Sequence, residues 1–265
     1  MTQLSDRLNR LAPSATLAMS QKSNEMRAQG VDVINMSVGE PDFNTPEFIK
    51  EAGKKAIDDN YSKYSPVPGY LALRQAISEK LKNENGLDYN TSEIIVGTGG
   101  KQGVCNAVLA LVNPGDEVVI PAPYWVSYPQ MVKLAGGIPV VVSTEIENNF
   151  KMTPDQLEAA ITPKTKMLIL CSPSNPTGSV YSKDELQELA EVIRRHENVF
   201  VLSDEIYEHI TYVGHTHSMA EFTGMKERVI IANGASKAYA MTGWRLGWVA
   251  APEWIVKGMN KLQGQ

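Results

Sequence analysis

Several short stretches of this chain combine residue types that can do chemistry. Lys237 follows the small residues Asn233-Gly234-Ala235-Ser236. A lysine in such a place is usually plain surface. Its sharper reading is a desolvated amine, with a pKa drawn below the ordinary ~10.4, that attacks an aldehyde. Asp204, in Ser203-Asp204-Glu205-Ile206-Tyr207, is either a helix cap or surface carboxylate, or an acid that keeps a pyridine nitrogen protonated. Gly97-Thr98-Gly99-Gly100-Lys101-Gln102 has the makings of a loop whose backbone N–H groups hold a phosphate at a helix N-terminus. It matches neither common nucleotide fingerprint. Gln102 stands where a Walker A loop needs Ser or Thr, and where GxGxxG needs its last glycine. Arg245, in Thr242-Gly243-Trp244-Arg245-Leu246-Gly247, is a structural residue or a bidentate phosphate clamp. Trp125, in Pro123-Tyr124-Trp125, reads as core when taken alone, and gains weight as a flat surface if the other groups hold a ring.

The elements that must position these residues are legible from periodicity. Candidate strands are Asp32–Met36, Glu93–Val96, Glu117–Pro121, Pro139–Ser143, Lys166–Cys171, Val199–Ser203, Arg228–Ala232 and Leu246–Ala250. Helix-period stretches lie between many of them, such as Gly69–Glu84, Lys101–Val112 and Asp184–His196. Thr153-Pro154-Asp155-Gln156 and Ser182-Lys183-Asp184-Glu185 are capping boxes. Asn113-Pro114-Gly115-Asp116 is turn chemistry leading into a strand. Met167-Leu168-Ile169-Leu170-Cys171 is apolar on both faces, as a sheet covered by helices on each side requires. The fold class is α/β, a three-layer sandwich with a mostly parallel central sheet. Ligands in such a fold sit at the carboxyl ends of the strands. Four strand ends lead into the loops just described, the fourth being Ser172-Pro173-Ser174-Asn175-Pro176-Thr177-Gly178. One such loop is common; four converging ones indicate a site.

Composition narrows the function classes. The 265 residues carry 25 Lys+Arg against 30 Asp+Glu, a formal charge of −5, which argues against nucleic acid or an anionic membrane as a partner. No apolar run has the length of a spanning helix, and Met1–Arg10 lacks a signal peptide's apolar stretch. Cys105 and Cys171 are the two cysteines, without CxxC spacing, so a disulfide framework and a cysteine zinc site are disfavoured and a cytoplasmic setting is the expectation. His215 and His217 have no third ligand nearby in sequence, so no metal is expected there.

Taken in order, the motifs resemble one family: the class I pyridoxal-phosphate-dependent aminotransferases of fold type I, in the prokaryotic aspartate aminotransferase branch. The resemblance runs from Pro13-Ser14-Ala15-Thr16 through Gly39-Glu40-Pro41-Asp42-Phe43, Lys63-Tyr64, Gly99-Gly100-Lys101-Gln102, Pro123-Tyr124-Trp125, Asn175-Pro176-Thr177-Gly178, Ser203-Asp204-Glu205-Ile206-Tyr207 and Ser236-Lys237 to Gly243-Trp244-Arg245-Leu246-Gly247. It implies that Lys237 carries the cofactor as a Schiff base and shuttles the proton. Asp204 would pair with the pyridine nitrogen, Tyr207 and Asn175 would bond the ring oxygen, and Trp125 would stack on the ring. Gly99, Gly100, Lys101, Ser236 and Arg245 would hold the phosphate, and Tyr64 would reach the phosphate of a neighbouring subunit's cofactor in a homodimer. Gly39, Trp125 and Asn175 would line the pocket for the substrate's α-carboxylate, with Lys101 reading a distal carboxylate. Gly234 departs from branches that carry a phosphate-binding hydroxyl three residues before the lysine.

The same resemblance implies an N-terminal segment, 1–45, that belongs to a small lobe and a dimer contact, and a cofactor-binding large domain over 46–265. The family's C-terminal small lobe, with its carboxylate-gripping arginine, lies beyond Gln265. A poor catalyst is expected of residues 1–265 alone, with apolar surface at Trp254, Ile255 and Leu262 left uncovered. The substrates implied are an L-amino acid, aspartate first, and a 2-oxo acid, 2-oxoglutarate first. Prephenate, aromatic or alanine substrates, a pyridoxal-phosphate lyase, and a cofactor-binding domain without turnover are the alternatives.

Overall fold

A computed structural model describes residues 4–265. The helices are α1 (Asp6–Asn9), α2 (Ala15–Ala28), α3 (Glu47–Asp58), α4 (Leu71–Asn85), α5 (Gly100–Leu111), α6 (Tyr128–Leu134), α7 (Pro154–Ala160), α8 (Lys183–Arg195) and α9 (Glu253–Gln263). The strands are β1 (Ile94–Thr98), β2 (Glu117–Ala122), β3 (Ile138–Ser143), β4 (Thr165–Cys171), β5 (Phe200–Asp204), β6 (Val229–Gly234) and β7 (Leu246–Ala250). They form one sheet in the order β1-β7-β6-β5-β4-β2-β3. Strands β2 to β6 pair in parallel, whereas β7 is antiparallel to both β1 and β6. Because β7 runs backwards, its first residues lie at the edge where the others end: Leu246 opposes Thr98 and Gly247 opposes Gly234.

Alternation along β4 builds the layers. Leu168 and Leu170 enter one apolar cluster with Ile77 and Leu81 of α4, Leu157 of α7, and Leu186, Leu189 and Ile193 of α8. Met167 and Ile169 enter the other, with Val104 and Val108 of α5, Met131 of α6, and Ile255 and Met259 of α9. Fully burying each such side chain contributes about 1.5–3 kcal/mol, so a single Leu168→Ala in this double-sided packing costs roughly 2–5 kcal/mol. Ile255 is 1% exposed, which corrects the expectation that it is left uncovered: the sheet itself receives it.

Local chemistry sets the boundaries. Thr153 and Ser182 each accept from the backbone N–H three residues on, while Gln156 and Glu185 return the bond to the cap's own N–H. Such caps are worth about 1 kcal/mol each. Asn113 and Asp116 close the turn into β2, with the Asp116 carboxylate accepting from the Asn113 N–H at 2.8 Å.

Residues 4–64 behave differently. Asp32–Met36 forms no strand: the segment lies beside no other strand, the Val33 carbonyl is taken by the Arg27 guanidinium at 2.9 Å, and Ile34 and Met36 face outward. Its alternation has no sheet edge to read it. Residues 39–45 instead cross the carboxyl edge as a strap, tied down by Thr45 Oγ1 donating to the Ala240 carbonyl and Thr242 Oγ1 donating to Glu40. Leu17, Met19, Phe43, Phe48, Ile57, Tyr61 and Tyr64 are all exposed. Together they make this region unusually apolar for an exposed surface.

Candidate active site

The carboxyl ends of β1, β4, β5 and β6, the start of β7 and the strap enclose a cavity of about 590 Å³. Ten of the twelve residues singled out from the sequence line it: Gly39, Gly100, Lys101, Trp125, Asn175, Asp204, Tyr207, Ser236, Lys237 and Arg245. Gly99 caps α5 beside it. Tyr64 is not part of the lining; it stands fully exposed on the loop before α4.

Asp204 ends β5 on the side of α5 and α6 and is buried. Its Oδ2 accepts from the Tyr128 hydroxyl at 2.6 Å and its Oδ1 from the Ile206 N–H at 3.3 Å. Burial pushes its pKa up, against the pull of those two donors, and no cation among the described residues shares the task. A carboxylate so placed calls for a positive partner from the cavity.

Lys237 lies across the cavity. Its Nζ donates to the Gly39 carbonyl at 2.6 Å and sits 5.7 Å from the Tyr207 ring centroid. Burial lowers its pKa, with Glu40 of the strap acting in the opposite direction. The Tyr207 hydroxyl accepts from Asn175 Nδ2 at 3.2 Å, and burial drives its pKa up to about 12. The amine is thus the group in this pair brought nearer to neutrality, as a nucleophile requires.

The third part is a cradle. Gly99 has φ 85° and caps α5 without a side chain; the Gln102 N–H turns back to the Gly99 carbonyl, and the N–H groups of Gly100 and Lys101 receive no side-chain cap. The Arg245 guanidinium packs against Gly99, where a Cβ would run into it. It also donates to the Thr242 carbonyl at 2.7 Å and the Thr98 carbonyl at 3.4 Å. A Cβ at Gly247 would meet the Gly99–Gly100 backbone, and one at Gly234 would come within 2.8 Å of the Leu246 carbonyl. A side chain at position 234 therefore has no room. Ser236 is buried beside the cradle, and its hydroxyl bonds no described residue. At the mouth, Lys101 Nζ lies 4.9 Å from the Trp125 ring centroid.

Tyr128 was not singled out from the sequence. Its ring stands edge-on to Trp125 at 5.2 Å and 88°, and its burial and the neighbouring Asp204 hold its hydroxyl protonated as a donor. The available signal was its place three residues after Trp125, at a helix start, but an aromatic there reads equally as core. His215 and His217 stack edge-on, and His217 meets Glu221 at 3.3 Å. Among the described residues no group of three metal-ligating side chains occurs.

A desolvated amine, a cation-seeking carboxylate and an anion cradle around one cavity narrow the choice of family, and comparison decides it. The family model described as "Aminotransferase class I and II" matches residues 31–265. The chain belongs to this aminotransferase family. Over its whole length it is 51% identical to an aspartate/prephenate aminotransferase of Cereibacter sphaeroides, spanning 67% of that relative. It is 51% identical, over 99% of its length, to a Petunia hybrida bifunctional aspartate aminotransferase and glutamate/aspartate-prephenate aminotransferase, covering 55% of it. The solved aspartate aminotransferase of Thermus thermophilus with maleate superposes with a TM-score of 0.97 at 45% identity, covering all of this chain and 69% of that one. An aminotransferase of this family takes an amino acid and a 2-oxo acid as substrates, and the family's cofactor is pyridoxal phosphate. Among the described residues of this aminotransferase, no helix is long and apolar enough to cross a membrane.

Proposed function

We propose that this chain is a pyridoxal-phosphate-dependent aminotransferase that moves the amino group of L-aspartate to 2-oxoglutarate, with prephenate as a further acceptor. The observation that carries the reading is Asp204, a buried carboxylate lacking a cation and facing the same cavity as a desolvated amine. With the uncapped α5 N-terminus and Arg245, these groups answer in kind the ring nitrogen, aldehyde and phosphate of the cofactor. The residues fit the group.

When bound, the cofactor supplies an aldehyde for an amine and a ring that draws electrons from the amino acid's Cα. Lys237 would hold the cofactor through its aldehyde and would serve as the base that moves the proton at the substrate's Cα. Asp204 keeps the proton on the ring nitrogen, and Tyr128 holds that carboxylate in place. Tyr207 and Asn175, already bonded to each other, serve the ring oxygen. Trp125 offers aromatic surface to the ring. The N–H groups behind Gly99, at Gly100 and Lys101, bind the phosphate together with Ser236 and Arg245. Gly39, Trp125 and Asn175 line the α-carboxylate pocket.

Lys101 is the cation suited to a distal carboxylate. A dicarboxylic substrate agrees with the aspartate named for the relatives and with maleate in the Thermus enzyme. Tyr64, exposed among Ile57, Tyr61 and Leu71, fits a role in a homodimer, where it reaches the second copy's phosphate site. In that assembly residues 1–45 belong with the small lobe and dimer contact, and 46–265 form the large domain. The two free cysteines suit a cytoplasmic enzyme.

The test is spectroscopic. Pyridoxal phosphate added to the protein should give a bound absorbance band that L-aspartate changes and 2-oxoglutarate restores. Lys237→Ala should keep phosphate-dependent binding and lose the exchange; wild-type half-reaction rates in that variant would sink the assignment. Lys101→Ser should shift preference away from aspartate relative to alanine by about ten- to a hundredfold, the worth of one charge-assisted contact.

A further inference from the structure

We propose that Glu208, held between Lys80 and Asn233, is the positioning residue that sets the strand end carrying Lys237; this rests on the reading of Lys237 given above. Glu208 follows Tyr207 directly, yet it points away from the cavity and is nearly buried. Its Oε1 receives Lys80 Nζ of α4 and Asn233 Nδ2, the latter at 2.6 Å. Its Oε2 receives Asn85 Nδ2 at 2.8 Å. Lys80 also reaches Asn85 Oδ1 at 2.7 Å and Glu84 at 3.6 Å, and His209 Nδ1 stands 3.7 Å from Glu208. One carboxylate thus ties the C-terminal half of α4, the turn of Tyr207 and the end of β6.

Asn233 transmits the constraint. It is 2% exposed, and its other side-chain atom, Oδ1, accepts from the Gly234 N–H at 2.7 Å. A carboxylate can only accept, so it fixes which end of the Asn233 amide faces it and which faces Gly234. Gly234 in turn lies against Leu246 and Gly247 with no space for a Cβ, and the Ala235 N–H donates to the Leu246 carbonyl at 3.1 Å. Lys237 stands three positions after Gly234. Neither Lys80, Glu208 nor Asn233 lines the cavity, so their effect on chemistry runs through the backbone. A buried ion pair of this kind adds little net stability over apolar packing. Orientation of a reacting group, by contrast, is sensitive to small displacements.

The experiment uses Glu208→Gln, Asn233→Asp and the double variant that exchanges acid and amide. In each single variant, amide hydrogen exchange at Gly234–Lys237 should accelerate by about tenfold or more while the β4 amides keep their protection. With cofactor added, kcat should fall about tenfold with KM nearly unchanged. The double variant again sets one acid against one amide, though Lys80 then lacks its carboxylate at 208, and should recover part of the loss seen in Asn233→Asp. Unchanged exchange and kcat in both single variants, or a double variant no better than Asn233→Asp, would overturn the proposal. Lys237→Ala run in parallel separates the two claims. Turnover surviving in that variant refutes the lysine reading, whereas the exchange data decide the Glu208 claim by themselves.

Discussion

Asp204 and Glu205 are neighbours in sequence and opposites in environment. Both are buried, and burial raises the pKa of both. Asp204 faces the α5 and α6 layer and the cavity, with one side-chain donor, Tyr128. Glu205 faces the α4 and α8 layer, where Ser203 and Ser218 both donate to its Oε1, at 2.8 and 2.6 Å. Its pKa is raised to about 7, and Glu208 adds to the rise while Lys80 opposes it. Two carboxylates one residue apart thus solve the same desolvation problem differently. Glu205 is met by two hydroxyls supplied by its own layer. Asp204 is left to be satisfied by a cation that the fold does not itself provide.

The contrast is sharpest in a paired substitution. Asp204→Asn should lower kcat/KM for aspartate roughly a thousandfold, in line with the 3–5 kcal/mol that removing one partner of a buried charge pair costs. Glu205→Gln should stay within about threefold of wild type, since an amide of the same shape keeps the hydroxyl bonds. Equal losses in steady-state assays would mean that the two positions are not functionally distinct.

Stability should separate them next. A carboxyl whose pKa rises from 4.5 unfolded to about 7 folded favours the native state fully below pH 4.5. That contribution is lost as pH rises through 7, because the unfolded chain releases the proton first. The unfolding free energy from urea titrations should therefore fall between pH 5 and 8 by up to about 3 kcal/mol from this group. Glu205→Gln should flatten the slope; an unaltered slope in that variant would place the titration elsewhere.

The smallest effect concerns the hydroxyl behind Asp204. Tyr128 lowers the Asp204 pKa by donating to it. Tyr128→Phe should raise that pKa and move the acid limb of the kcat/KM profile upward, with about a tenfold loss at neutral pH from one charged hydrogen bond. An acid limb that does not move would assign it to another group.

Much of this frame was legible in the sequence because it is local. β4 announces its two buried faces by its own residues, and the boxes at Thr153 and Ser182 mark where α7 and α8 begin. The strand ends bearing Asp204, Asn175, Lys237 and Gly99 follow from the same reading. What stayed hidden depends on partners distant in the chain. Tyr128 meets Asp204 across 76 residues, and Lys80 meets Glu208 across 128. The apolar alternation of Asp32–Met36 resembles a strand until the sheet is seen to be filled without it. The reversed direction of β7, which brings Arg245 to the site edge, comes from pairing and leaves no trace in hydrophobic period.

The glycine contacts around the cradle also say where the enzyme has freedom to evolve. Positions 99, 234 and 247 bring backbone against backbone or guanidinium, so any Cβ there collides. They are closed to drift, and the anion site cannot be retuned through them. Gly39 on the strap is different: open space surrounds its missing Cβ, and its φ is ordinary. A lineage exploring new substrates on this scaffold can change residues on the strap, while the glycine-packed end of the cavity is inherited intact.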